Sequence, residues 1–232
     1  MKSAEQMGRI EMKITYYGHS CFMFDDGKCR VLTDPYISGN PLTRISVDDV
    51  STDYILVSHA HGDHLGDTVD IAGFTGATVI STVELCGQLI QPEGIKNMAG
   101  NIGGSLKTPF GSVKYVNAIH GSGIPGGLAC GFVVEMGGKK IYFAGDTALT
   151  ADMALLKDEG IDIALLPIGD YYTMGPADAK RAAEMICPEL TIPMHYNTFP
   201  VIRQDPDAFA ESLREEGLAC RVLEIGETLN YG

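Results

Sequence analysis

The chain has no apolar run approaching the ~18 residues of a membrane-spanning helix, so no membrane partner is expected. It has no C-x-x-C pair. Cys21, Cys29, Cys86, Cys130, Cys187 and Cys220 are scattered, which argues against a disulfide framework and reads as reduced, mostly buried small residues. Positive charge is scarce: Lys and Arg number 17 against 30 Asp and Glu, for a net charge of −13. That balance argues against binding along a phosphate backbone, so no nucleic-acid partner is expected. The first eleven residues, MKSAEQMGRIE, lack the apolar h-region of a secretory signal. Residues 1–11 read as a poorly ordered polar leader, and the expected location is cytoplasmic. No low-complexity segment, interdomain linker or short repeat interrupts the rest, so residues 12–232 are read as one domain.

Histidine is also rare, with six in 232 residues, yet three of them fall within six positions of Ser58–Asp67, SHAHGDHLGD. The chance of H-x-H-x-D-H arising anywhere in a chain of this composition is roughly three in ten thousand. His59, His61, Asp63 and His64 therefore call for a chemical cause.

Their setting supplies one. Strand patterns cover Met12–Tyr17, Ser20–Phe24, Arg30–Thr33, Tyr54–Ser58 and Ala77–Ser81, with a turn at Asp25-Asp26-Gly27. Short helices are expected at Asp67–Ala72 and at Thr82–Gln91, the latter with Thr82 as N-cap. Further strands are expected at Ser112–Ala118, Ala129–Met136 and Lys139–Ala144, the last two joined by a Gly137-Gly138 hairpin. Helix and strand then alternate: Ala151–Glu159, Ile161–Pro167, Pro176–Ile186, Leu190–Pro193, Asp205–Glu216 and Cys220–Ile225, with Gly217 after the last helix. The layout is two similar halves that pack two sheets between outer helices. Four strands each deliver a ligand-type side chain just past their ends: YILVS leads to His59, VKYVNAI to His120, KIYFAG to Asp146 and LTIPM to His195. Loops held at strand ends are where scaffolds place sites.

Imidazole and carboxylate suit zinc and related divalent ions. Seven such groups are too many for one tetrahedral ion and fit two ions about 3.5–4 Å apart, sharing a carboxylate and a water whose pKa falls near ~7. H-x-H-x-D-H after a buried strand, followed by a later His, an Asp and a last His, resembles the metallo-β-lactamase superfamily. KITYYGHSCF, LLPIGDYYTMGP and MHYNTFP narrow the resemblance to small stand-alone metal-dependent hydrolases related to L-ascorbate-6-phosphate lactonase. The similarity runs from about Met12 to Tyr231.

The resemblance implies an α/β fold, a four-layer αββα sandwich of two mixed sheets flanked by helices. It implies that His59, His61 and His120 hold one metal, that Asp63, His64 and His195 hold the other, and that Asp146 bridges. Asp63 would also contact the attacking water. Zinc is the first expectation, with manganese, nickel or iron also accepted by these ligand types. The family's Gly-Asp stretch continues Asn-Phe, where this chain has Tyr171-Tyr172. No inserted domain interrupts the chain, unlike the family's RNA-processing nucleases.

Other polar residues have two readings each. His19 follows Gly18 and is either a satisfied structural histidine or a proton donor or substrate contact at the rim of the site. Asp146 is either a ligand or a turn cap. Asp170 and Thr173 either orient ligands or hold a tight turn. Tyr196 and Asn197, directly after a ligand position, are expected to line the pocket. Asp34, before Pro35, reads as a turn residue, the alternative being an acceptor behind the ligands. The leading function is a metal-dependent hydrolase acting on a small ester, lactone or phosphoester, possible as a homo-oligomer. The alternatives are an iron-dependent redox enzyme of the same fold, resembling a persulfide dioxygenase, and a phosphodiesterase or nuclease.

Overall fold

The computed structural model describes residues 11–232. All but the last residue of the polar leader lies outside that range. In chain order the strands are β1 (Met12–Gly18), β2 (Cys21–Asp25), β3 (Arg30–Thr33), β4 (Tyr54–Leu56), β5 (Thr78–Thr82), β6 (Asn97–Gly100), β7 (Ser105–Thr108), β8 (Gly111–Asn117), β9 (Cys130–Met136), β10 (Lys139–Phe143), β11 (Ile163–Pro167), β12 (Leu190–Met194) and β13 (Thr228–Tyr231). They form two mixed sheets, ordered β13-β1-β2-β3-β4-β5-β6 and β12-β11-β10-β9-β8-β7. The helices are α1 (Gly62–Leu65), α2 (Thr68–Thr75), α3 (Val83–Leu85), α4 (Pro176–Ile186) and α5 (Pro206–Glu215).

The sequence pattern explains the layering. β1 alternates, so Met12, Ile14 and Tyr16 are buried between the sheets while Lys13 is exposed. Facing them are Val113, Tyr115, Phe132, Val134, Ile141 and Phe143 of the second sheet, in one continuous core. The outer face of the first sheet buries Met23, Leu32, Ile55 and Val79 against Ile71 and Ala72 of α2. β11 (IALLP) is buried at every residue, as expected of a strand parallel to β10 and β12 with both faces covered. Ala179, Ala182, Ala183 and Ile186, on one stripe of α4, close the outer side of the second sheet. The four layers are those of an αββα sandwich.

Some local expectations give way. Thr82–Gln91 is not one helix: α3 runs into a π-turn at Cys86–Ile90 and a 3-10 turn at Gln91–Glu93, where Pro92 ends it, and Thr82 makes no side-chain cap. Ala151–Glu159 is a 3-10 helix. Cys220–Ile225 is not a strand. It touches β12 through a single Thr191–Cys220 bridge and then leaves. The closing strand is β13, whose Thr228–Tyr231 pair with Thr15–Met12 at the edge of the first sheet. The strands β6 and β7 carry too little apolar alternation to be read locally, and β6 takes its place from parallel pairing with β5. Gly137 and Gly138 both have positive φ and join β9 to β10 as a two-residue hairpin. All six cysteines are free; Cys21, Cys86 and Cys130 are buried and Cys187 is exposed.

Candidate metal centre

The strand ends converge on one cavity of about 710 Å³, whose floor includes His61, Asp63, His120, Asp146 and His195. His59 follows β4, Asp63 and His64 lie on α1, His120 follows β8, Asp146 follows β10 and His195 follows β12. Two glycines let the loops meet. A Cβ at Gly123 (φ +77) would sit 2.7 Å from the Ala60 carbonyl carbon, so the His120 loop reaches the His59–His61 backbone only with glycine there. A Cβ at Gly145 (φ +59) would sit 2.8 Å from Ser58 Cβ, one residue before Asp146.

The ligand-type atoms fall into groups. His59, His61 and His120 place one nitrogen each within 4.8 Å of one another, and so do the donor atoms of His19, Asp63, His64 and His195. His59 Nε2 lies 2.9 Å from His61 Nδ1, which is 3.2 Å from His120 Nε2. Asp146 Oδ2 stands between the groups, 3.2 Å from His64 Nε2, 3.2 Å from His195 Nε2 and 3.5 Å from His120 Nε2. Those contacts are out of line for hydrogen bonding. His64 Nε2, Asp146 Oδ1 and both ring nitrogens of His195 are buried without a hydrogen-bond partner. Buried polar atoms are rarely left so, and His64 Nε2 and His195 Nε2, both 3.2 Å from Asp146 Oδ2 in one cluster of imidazoles and carboxylates, fit metal ligation.

Behind the cluster, Asp34 sets the rings. It is fully buried at the end of β3, with Oδ1 accepting from the Ser58 backbone and Oδ2 from Ser58 Oγ at 2.6 Å and from His64 Nδ1 at 2.6 Å. Because the Ser58 hydroxyl is spent on Asp34, it accepts from His59 Nδ1 at 2.9 Å. Both histidines therefore carry the proton on Nδ1 and present Nε2 to the site, the arrangement that metal-ligating imidazoles need. Asp34 is thus the acceptor behind the ligands, not a simple turn residue. The signal was in the sequence: like His59 and His195, it stands just past a strand.

His19 sits against the second group. Its Nε2 is 3.2 Å from Asp63 Oδ2 and its Nδ1 is 2.9 Å from Thr198 Oγ1, while its carbonyl accepts from the His195 backbone N–H at 2.8 Å. Burial, and then the neighbouring His195, push its pKa down to about 4. Burial also pushes His59 well below the ordinary histidine range, with neighbouring His64 adding to it. Burial opposes ionisation of Asp63, but the His19 hydrogen bond and nearby imidazoles hold its carboxyl below the usual range. Burial works against protonation of His64, but the charges of Asp146 and Asp34 outweigh it and raise its pKa. His19, Asp34, His195, Asn197 and Asp170 all have positive φ without being glycine, and the first three build the site. Such backbone strain concentrates where structure serves function.

Four candidates lie elsewhere. Tyr196 is buried in the inter-sheet core and, with Asn197, borders a separate cavity beside Tyr16 and Leu223. A left-handed backbone at both His195 and Asn197 swings these side chains away from the metal-type residues. Asn197 Oδ1 instead accepts from the Gln204 backbone. Asp170 and Thr173 close a tight turn, with the Thr173 N–H donating to the Asp170 carbonyl and the Thr173 hydroxyl to the Met174 carbonyl. The cavity walls are Tyr36, Tyr172 and Phe199, none of which the sequence singled out for this role.

The model of the beta-lactamase superfamily domain matches residues 13–195. The chain belongs to that superfamily. It is 51% identical to a UPF0173 metal-dependent hydrolase of Heliobacterium modesticaldum, over 94% of this chain and 97% of that one. It is 47% identical to a UPF0173 metal-dependent hydrolase of Thermus thermophilus, over 94% and 98%. Among solved structures, Igni18, a metallo hydrolase from Ignicoccus hospitalis, superposes with a TM-score of 0.90 at 36% identity, covering 96% of this chain and 99% of that one. The superfamily fold is thus shared along nearly the whole chain. No helix among the described residues is long and apolar enough to cross a membrane.

Proposed function

We propose that this member of the superfamily is a hydrolase with a dinuclear metal site that cleaves a small ester, lactone or phosphoester. The observation that carries the reading is the set of orphaned buried atoms on His64, Asp146 and His195. His59, His61 and His120 would hold one ion, Asp63, His64 and His195 the other, and Asp146 would lie between them. Two divalent ions bound there would polarise the substrate oxygen and make hydroxide available near neutral pH. Asp34 and Ser58 fix the tautomers of His59 and His64. Asp63 Oδ2 would orient the attacking water, held in place by the His19 Nε2 proton. The proton that the attacking water gives up would pass through the Asp63 carboxylate to the leaving oxygen, with neutral His19 keeping its Nε2 proton as a hydrogen-bond donor that positions that carboxylate. Proton transfer of this kind is worth ~10²–10⁴-fold in rate. The open walls leave room for a substrate, which a purely structural ion would not need. The test is metal content by mass spectrometry, followed by turnover of a panel of lactones, carboxylic esters and phosphodiesters. Two ions per chain and metal-dependent turnover are expected. A stoichiometry of one or none after metal supplementation, or no hydrolysis in the panel, would overturn the proposal.

A further inference from the structure

Resting on the hydrolase reading, we infer that the substrate is an uncharged molecule bearing an aromatic or bulky apolar group, and that Tyr36, Phe199 and Tyr172 select it. The cavity of about 710 Å³ is of the size that takes drug-sized ligands. Among the described residues, no lysine or arginine lines it. Its only charged side chains are Asp63, Asp146 and the histidines of the floor, and the protein as a whole carries −13. A phosphate at the far end of a substrate would meet the Tyr36, Phe199 and Tyr172 rings, which offer it no charge of opposite sign. Sites that recognise a phosphate by side chains supply Arg or Lys, and among the described residues neither stands at the walls, away from the floor where the two ions would sit.

What stands there is apolar. The Tyr36 and Phe199 rings lie 6.3 Å apart, and each packs edge-on against His19, at 5.6 and 5.5 Å between centroids. The Tyr36 hydroxyl donates to the Gly39 carbonyl at 2.6 Å, so its ring and not its hydroxyl serves the cavity. Tyr172 comes from the loop after β11 and is 53% exposed, although large aromatic side chains favour burial. Its ring leans edge-on against Tyr171, itself 70% exposed. Exposed aromatics bordering a cavity mark a binding surface. The three rings sit above the floor, so they would hold the part of the substrate that does not react.

Three esters with one scissile bond test this: benzyl acetate, methyl acetate, and benzyl acetate bearing a para phosphate. The leaving alcohols have nearly equal acidity, so differences report binding. The expected order has benzyl acetate ahead of both others by at least about tenfold in kcat/KM, the low end of what a filled apolar pocket gives. Tyr172→Ala and Phe199→Ala are expected to lower kcat/KM for benzyl acetate more than for methyl acetate, chiefly through KM. Binding of the non-hydrolysable N-benzylacetamide, followed by ligand-observed NMR, is expected to weaken in the same variants. Preference for the phosphorylated ester, or equal loss on both neutral esters, would overturn the inference. So would a preference for a para trimethylammonium analogue, which would make the rings a cation cage. If N-benzylacetamide binds and responds to the variants while no ester, lactone or phosphodiester is cleaved, the hydrolase reading fails and the ligand class stands. If it does not bind and no ester, lactone or phosphodiester is cleaved, both fail.

Discussion

The loop that carries His59, His61, Asp63 and His64 faces the strand ends that carry His120, Asp146 and His195 across one cavity, and the two sides are held differently. On the first side, side chains hold side chains: Asp34 accepts from Ser58 and His64, and Ser58 accepts from His59. On the second side, backbone holds backbone. The Ala148 N–H donates to the Ile119 carbonyl at 3.1 Å, tying the Asp146 loop to the His120 loop. His195 is hung from the His19 carbonyl, and neither of its ring nitrogens has a partner. The first side is thus oriented before any ion arrives. The second side is placed by its loops: His195 has no side chain behind either ring nitrogen, and among the described residues the His120 ring hydrogen-bonds only to His61, through Nε2.

The largest effect is expected where the two sides meet. Asp146 lies within 3.5 Å of nitrogens from both, at His64, His195 and His120. Asp146→Ala removes a shared donor and the charge that offsets two cations, so hydrolysis is expected to fall below detection and metal content to drop below two per chain. Circular dichroism should stay unchanged, because the residue holds no element together. Full turnover at saturating metal would show that the two sides work independently.

Asp34→Asn breaks the first side alone. Loss of a partner behind a metal-ligating imidazole typically costs 10–100-fold in metal affinity or activity. The expectation is a loss in that range, seen by competition with a chelator, with Ser58→Ala falling at its low end. If Asp34→Asn binds both ions as tightly as the parent, the rings are set by something other than the Asp34 carboxylate.

How far the sequence reveals each side follows from the same contrast. His59, His61, Asp63 and His64 sit on one loop, where spacing alone shows them. His120, Asp146 and His195 are single residues on separate strands, visible only because each follows an apolar run. Asp34 follows such a run too, but the adjacent Pro35 made a turn the simpler reading. Tyr36 and Phe199 could not be read at all. They lie 163 positions apart in a chain numbered to 232, and only the folded sheets bring their rings together. Tyr196 and Asn197 failed for a local reason: adjacency to His195 says nothing about direction once the backbone turns left-handed there. The layers were legible because their cores repeat along whole strands, whereas β13 and β6 depend on a neighbour's edge and carry no signal of their own.

His19 crosses the divide, since its carbonyl positions His195 and its ring reaches Asp63. His19→Ala keeps that carbonyl and removes the ring. Both ions are expected to remain while turnover falls at least about tenfold, the low side of general acid–base catalysis. Loss of one ion would make His19 a ligand, and normal kinetics would leave it a structural residue.

The smallest effect sharpens the comparison furthest, because it moves one proton. Thr198 is buried, and its hydroxyl lies 2.9 Å from His19 Nδ1 and 3.4 Å from the Tyr196 carbonyl. The shorter contact is the better hydrogen bond, and a hydroxyl donating to Nδ1 leaves the ring proton on Nε2, facing Asp63. That is the pattern of the first side, a side chain choosing a tautomer, used once on the second. Thr198→Val keeps the volume and removes the donor. One neutral hydrogen bond is worth roughly 1 kcal/mol, so turnover is expected to fall about fivefold with metal content unchanged. Thr198→Ser should restore it, since the hydroxyl returns while the methyl does not. If serine fails to rescue, the methyl packing and not the hydroxyl matters, and the second side then contains no ring set by a side chain.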